Sequence, residues 1–151
     1  MTKMMIRFGQ GLLASLICLF SLGAGAAQFV EYDDYEIHYN AFNSSFIKPD
    51  IAQANGLVRG KRRALVNVSV LEKQDDGSKK AVNALVSGEA TNLISQKQQM
   101  TFVRIDEGRA VYYIGSFGFT DDQVMRIGLT VQPDPNQPAY EIKFEQKFFT
   151  D

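Results

Sequence analysis

One cysteine, one histidine and no tryptophan in 151 residues narrow the chemistry before any pattern is read. With Cys18 alone, no disulfide can form within the chain, so a folded domain here must rest on core burial. A lone His38 leaves a transition-metal site short of ligands, because such sites need several His, Cys or carboxylate groups converging. Met100 and Met125 do not fill that gap, since both fall in strand-like stretches. A Ser-His-acid triad could be drawn from His38, Ser44 or Ser45 and an Asp, but the Gly-x-Ser-x-Gly elbow is missing. No phosphate-cradling Gly-rich loop and no dinucleotide fingerprint occur, so no cofactor is implied.

Long apolar runs are scarce too, and the one at Gly11–Leu22 has a specific setting. Lys3 and Arg7 precede it without an acid, and Ala24-Gly25-Ala26-Ala27 follows it, the three-part layout of a secretory signal. A membrane anchor is the competing reading. It wants roughly 20 apolar residues, and this run is shorter. Lipoprotein processing at Cys18 wants a small residue before the cysteine, where Ile17 stands. The expectation is a signal peptide over 1–27 and a single domain over 28–151, with no integral membrane segment after cleavage.

Charge of either sign is in short surplus. The whole chain carries −1, and setting Lys3 and Arg7 aside leaves 14 basic against 17 acidic residues. That balance favours solubility and gives no pull toward nucleic acid. The basic residues are nevertheless clustered at Arg59, Lys61, Arg62 and Arg63. Such a run is either a solvated loop entering the next strand or a contact for anionic lipid headgroups or an acidic partner. It has no interleaved aromatics, which argues against single-stranded nucleic acid.

What is present reads as short strands. Phe29–Tyr32 and Tyr35–Phe42 flank Asp33-Asp34, and in the second of them Tyr35, Ile37 and Tyr39 alternate with Glu36, His38 and Asn40, so one set faces inward and the polar set outward. Asn43-Ser44-Ser45 breaks the alternation, and 49–55 reads as a two-turn helix with Pro49 at its start and Gly56 past its end. Ala64, Val66, Val68 and Val70 line the clearest buried face. After the turn at 75–78 a strand spans 82–93 with a bulge or bend at Gly88, and 96–99 reads as a polar connection. Thr101, Val103 and Ile105 read as inward-facing, and 106–109 turns the chain into an interior strand at 110–117. Met125, Ile127, Leu129 and Val131 alternate with polar residues, Pro133, Pro135 and Pro138 stop the strand, and Tyr140, Ile142 and Phe144 alternate with Glu141, Lys143 and Glu145. Ile142 and Phe144 are expected buried. The acid pairs Asp33-Asp34, Asp75-Asp76 and Asp121-Asp122 each coincide with a turn, where Asp bonds nearby backbone.

Seven or eight short strands with regular turn signals and one short helix predict an all-β, antiparallel two-sheet sandwich, immunoglobulin-like in the broad sense. A small β-barrel is the alternative. An outer-membrane barrel is disfavoured by the charged alternation at Glu141, Lys143, Glu145 and Lys147.

HYNAF at 38–42, SF at 45–46, Pro49, the Gly56 loop with Arg59 and Lys61, ALVNVSVL, GEATNL, EGRAVYYI and the closing FEQKFF together resemble a family of periplasmic proteins of Gram-negative bacteria catalogued as a domain of unknown function. The resemblance runs from about Tyr35 to the C-terminus. It implies location and fold, and it transfers no catalytic residue.

Two classes of function follow. The first is a non-enzymatic periplasmic binding or assembly module for an envelope protein partner, with His38, Asn40, Asn43, Ser44, Arg59, Lys61 and Arg62 as the candidate surface. The second is a hydrolase or isomerase with its site around His38, Asn40 and Ser44.

Overall fold

A computed structural model describes residues 28–151. The leader read over 1–27, with Cys18 inside it, lies outside the described residues. In chain order the elements are β1 (Gln28–Tyr32), β2 (Tyr35–Asn43), a 3-10 turn (Ser44–Phe46), α1 (Pro49–Ala54), β3 (Arg63–Lys73), β4 (Lys79–Ala81), β5 (Leu85–Asn92), β6 (Lys97–Met100), β7 (Val103–Asp106), β8 (Val111–Gly118), β9 (Gln123–Gln132) and β10 (Tyr140–Phe148). They form two antiparallel sheets, one ordered β1-β2-β3-β8-β7 with β4 on the far end of β3, the other β10-β9-β5-β6.

Strict alternation builds the core between them. Ile37, Val66, Val68, Val70 and Phe117 point inward from the first sheet, and Met125, Ile127, Leu129, Val131 and Phe148 from the second, all nearly or fully buried. Phe117 meets Phe148 edge-on across the gap at 5.3 Å. On one flank β10 lies against β1 and β2 through side chains and not through a strand ladder. Tyr32 stacks on Tyr140 at 4.6 Å, Tyr140 donates to Asp33 Oδ2 at 2.5 Å, and Gln146 Nε2 donates to the Ala41 carbonyl at 3.0 Å. The sheets therefore stay open, which decides for the sandwich over the barrel.

Four local expectations are corrected. Gly88 sits in unbroken register between Met100 and Leu129, so there is no bulge. A Cβ there would approach the Gly128 carbonyl to 2.9 Å and the Met100 methyl to 3.1 Å; glycine is required by close packing. The polar connection at 96–99 is in fact largely β6, paired to β5. The inward residue before β7 is Phe102 and neither Thr101 nor Val103, because Gly115 of β8 leaves a gap that the Phe102 ring fills at 2.9 Å from where a Cβ would stand. Val103 is consequently exposed on an edge strand. Finally, Phe144 is only half-buried against Tyr39, and the fully enclosed aromatic of β10 is Phe148.

Candidate binding surfaces

Alternation places Glu36, His38 and Asn40 on the outer face of the first sheet, as expected, yet Glu36 is not a solvated residue. Its side chain is 6% exposed, with one oxygen 2.6 Å from His38 Nε2 and the other 2.7 Å from Lys79 Nζ. An ionised carboxylate only accepts, so His38 Nε2 carries the proton of that bond. The Lys79 ammonium holds the Glu36 carboxyl below the usual range, burial pushes the other way, and His38 adds to the lowering. Phe29 of β1, directly opposite His38, stacks on the imidazole at 5.2 Å. Beside this cluster Gln28, His38, Tyr39, Asn40, Asn67 and Ser69 line a shallow recess of about 240 Å³. Within it Asn67 Oδ1 is buried without a hydrogen-bond partner among the described residues.

Asn43 and Ser44 belong to a different place and a different job. The Ser44 side chain is fully buried, its hydroxyl accepting from the Gly60 amide and donating to the Gly60 carbonyl, both at 3.0 Å. Asn43 Nδ2 donates to the Phe149 carbonyl at 2.7 Å and to Asp151 at 3.1 Å. These bonds tie the excursion 44–62 to its own return and to the C-terminal tail. Ser44 also stands six residues beyond His38, roughly 20 Å of extended chain at ~3.3 Å per residue. It is not placed to act as a nucleophile with that imidazole.

Arg59, Lys61 and Arg62 lie on the returning limb of the same excursion, all exposed. Arg59 donates to the Ser45 carbonyl at 3.3 Å, and the Arg62 carbonyl accepts from Phe119 at 2.9 Å. The fourth member of the run, Arg63, turns onto the sheet and donates to Ser116 Oγ at 2.8 Å. So the sequence candidates separate into two groups, His38 with Asn40 on the sheet face, and the basic residues at one end of the sandwich.

That end carries a feature the strand pattern does not signal. The excursion, the β5–β6 turn, the β8–β9 turn and the tail after β10 all converge there, since Asn92 pairs with Met125, Phe148 with Gln123 and Ala64 with both Asn43 and Phe117. Of nine large apolar side chains left exposed among the described residues, six belong to these segments: Phe46, Ile51, Val58, Leu93, Ile94 and Phe149. Phe46 and Ile94 are 74% and 76% exposed, more than any core-facing role allows. The outer face of the second sheet carries two ion pairs, Lys97 on Glu89 at 3.4 Å and Arg126 on Glu145 at 3.1 Å. Among the described residues no three His, Cys, Asp or Glu side chains are grouped to hold a metal ion, and no helix is long and apolar enough to cross a membrane.

Residues 29–151 match the domain of unknown function DUF4426. A solved DUF4426 family protein from Pseudomonas aeruginosa PAO1 is 33% identical, covering 83% of this chain and 96% of its own, with a TM-score of 0.72. FetP of uropathogenic Escherichia coli strain F11, recombinantly expressed in the periplasm, shares 14% identity over 83% of this chain and 95% of its own, with a TM-score of 0.60. A copper-bound variant of FetP superposes at 0.58, again at 14% identity, over 83% of this chain and 91% of its own. At that identity the FetP likeness concerns the fold alone. No curated protein matches the chain.

Proposed function

The chain belongs to the DUF4426 family, and from that premise we propose that it is an exported, non-enzymatic binding module of the periplasm that engages its partner through the loop end of the sandwich. The leader over 1–27 is removed near Ala27, leaving one domain from Gln28 onward. The observation that supports this reading is the concentration of exposed apolar side chains, six of nine among the described residues, in the segments that also carry Arg59, Lys61 and Arg62 at one end of the sandwich. Large apolar groups held in water on a rigid scaffold are the signature of an interaction surface.

A catalytic reading around His38 has less to stand on, because Ser44 is committed to Gly60 and the imidazole is committed to Glu36. The copper bound by the FetP variant does not carry over either, since among the described residues no three His, Cys, Asp or Glu side chains are grouped to hold a metal ion. The recess of His38, Asn40 and Asn67 remains the second candidate surface, favoured by the unpartnered Asn67 oxygen.

In-cell photocrosslinking tests the choice. A photoreactive residue at Val58 or Lys61 is expected to give adducts, while one at Leu85, exposed at the opposite end, gives none. Adducts arising only from Asn40 would move the surface to the sheet face and overturn the loop-end reading.

A further inference from the structure

Resting on the loop-end reading, we infer that the partner at this end is an anionic phospholipid bilayer surface, on which the domain docks peripherally. Two observations carry it. The apolar residues do not form one groove; they sit on separate structures, Phe46 on the 3-10 turn, Ile51 on α1, Val58 on the returning limb, Leu93 and Ile94 on the β5–β6 turn and Phe149 on the tail. A protein partner rewards a contiguous, shape-matched patch, whereas a fluid lipid interface accepts single side chains inserted from several loops at once.

The charge arrangement is the second observation. From Ser44 to Arg62 the chain carries Lys48, Arg59, Lys61 and Arg62 against Asp50 alone, in a domain that is net negative from Gln28 onward. None of those four cations is in an ion pair among the described residues; Arg63, Lys80, Arg109 and Lys143 are likewise unpaired, but the three of these outside the run are spread singly over the rest of the domain, where Lys73, Lys79, Lys97, Arg104, Arg126 and Lys147 are paired. Of the acids at the same end, Asp122 is paired with Lys147 at 2.9 Å, whereas Asp121, which accepts from the Thr150 amide at 2.8 Å and feels the Arg62 charge, and Asp151, which holds Asn43 and Ser45, bond neutral groups and keep their charge. The excursion itself therefore presents four cations against Asp50 next to apolar tips, a local positive excess that Asp121 and Asp151 reduce without cancelling, and that suits a surface of lipid phosphates over hydrocarbon.

The experiment is flotation of the mature protein with vesicles of phosphatidylglycerol and phosphatidylethanolamine, compared with vesicles of phosphatidylcholine alone. Binding is expected only to the anionic vesicles and is expected to weaken with salt. The triple variant Arg59→Gln, Lys61→Gln, Arg62→Gln should lower partitioning about 100-fold, at ~1 kcal/mol for each cation near the surface. Phe46→Ser with Ile94→Ser should abolish the remaining binding, whereas Leu85→Ser at the far end should leave it unchanged. All these positions are exposed, so unchanged melting temperatures verify that folding is intact. Equal partitioning onto neutral vesicles, or no partitioning at all, overturns the inference. If a photoreactive group at Val58 captures a polypeptide while vesicles are not bound, the bilayer is wrong and the loop-end surface stands; if Val58 captures nothing and Asn40 does, both are wrong.

Discussion

Lys79→Met isolates the energetics of the buried acid on the sheet face. Glu36 is enclosed to 6% exposure with only Lys79 and His38 to balance its charge, and removing one partner of a fully buried pair typically costs ~3 to 5 kcal/mol. The Lys79 side chain is 47% exposed, so water can replace part of what the ammonium supplies. That discounts the loss to about 1 to 2 kcal/mol at neutral pH, or a fall in melting temperature of about 4 to 8 °C for a domain of this size. The pH dependence makes the test specific. Lys79 lowers the Glu36 carboxyl below its ordinary value of 4.5, so the stabilisation is present above that value and is lost as pH falls through the folded-state value. The difference between native protein and Lys79→Met, followed by thermal melts monitored by circular dichroism, should shrink below about pH 4.5 and vanish in stronger acid. Glu36→Gln should cost less than Lys79→Met, because it removes the buried charge instead of orphaning it. A Lys79→Met variant as stable as native at neutral pH, or a deficit that persists unchanged in acid, would refute the reasoning.

Phe148→Ala should destabilise by ~3 to 5 kcal/mol in denaturant melts, the half-buried Phe144→Ala by about half as much, and the exposed Lys143→Ala by less than ~0.5. The bond to Asp33, with burial adding to it, pushes the Tyr140 hydroxyl up to about 12. Its contribution to stability is therefore complete below about 10 and disappears as pH rises through 12. Absorbance titration of tyrosinate should lose that late-ionising group in Tyr140→Phe. Intact mass of the protein from periplasm should give a chain beginning near Gln28; a full-length chain recovered from cytoplasm would remove the export premise.

The two-sheet fold was legible because one signal, period-two alternation, recurs with enough buried β-branched residues to be unambiguous, as at Val66, Val68 and Val70 or Ile127, Leu129 and Val131. It failed where a side chain answers to a neighbour distant in sequence. Thr101, Val103 and Ile105 alternate as well as any inward set, but the vacancy that orders this segment is at Gly115, on another strand, and Phe102 fills it. Gly88 looked like a bulge because a glycine inside a strand has two causes, conformational need and close approach, and only the position of Met100 and Leu129 tells them apart.

The candidate surface divides along the same line. Arg59, Lys61 and Arg62 face solvent, as a run of like charges in a loop should whether it is a solvated loop or a contact for a partner. Ser44 and Asn43 are candidates because they are polar residues in an irregular loop following a strand, and that placement does not distinguish a hydroxyl offered to a partner from one spent on Gly60. Glu36 was assigned to water by its parity, which is right about the face and silent about Lys79, a residue that reaches it only because β4 folds back on β3. The apolar residues of the loop end carry the opposite lesson. Phe46, Val58 and Ile94 stand outside the alternating segments, and Leu93, read as the last residue of a strand, lies just past the end of β5 at Asn92; an apolar side chain in a turn is a cost that the folded domain alone does not repay. Six exposed apolar side chains belong to the segments of one end, the same end that carries Arg59, Lys61 and Arg62, and that coincidence is the ground for the proposed surface.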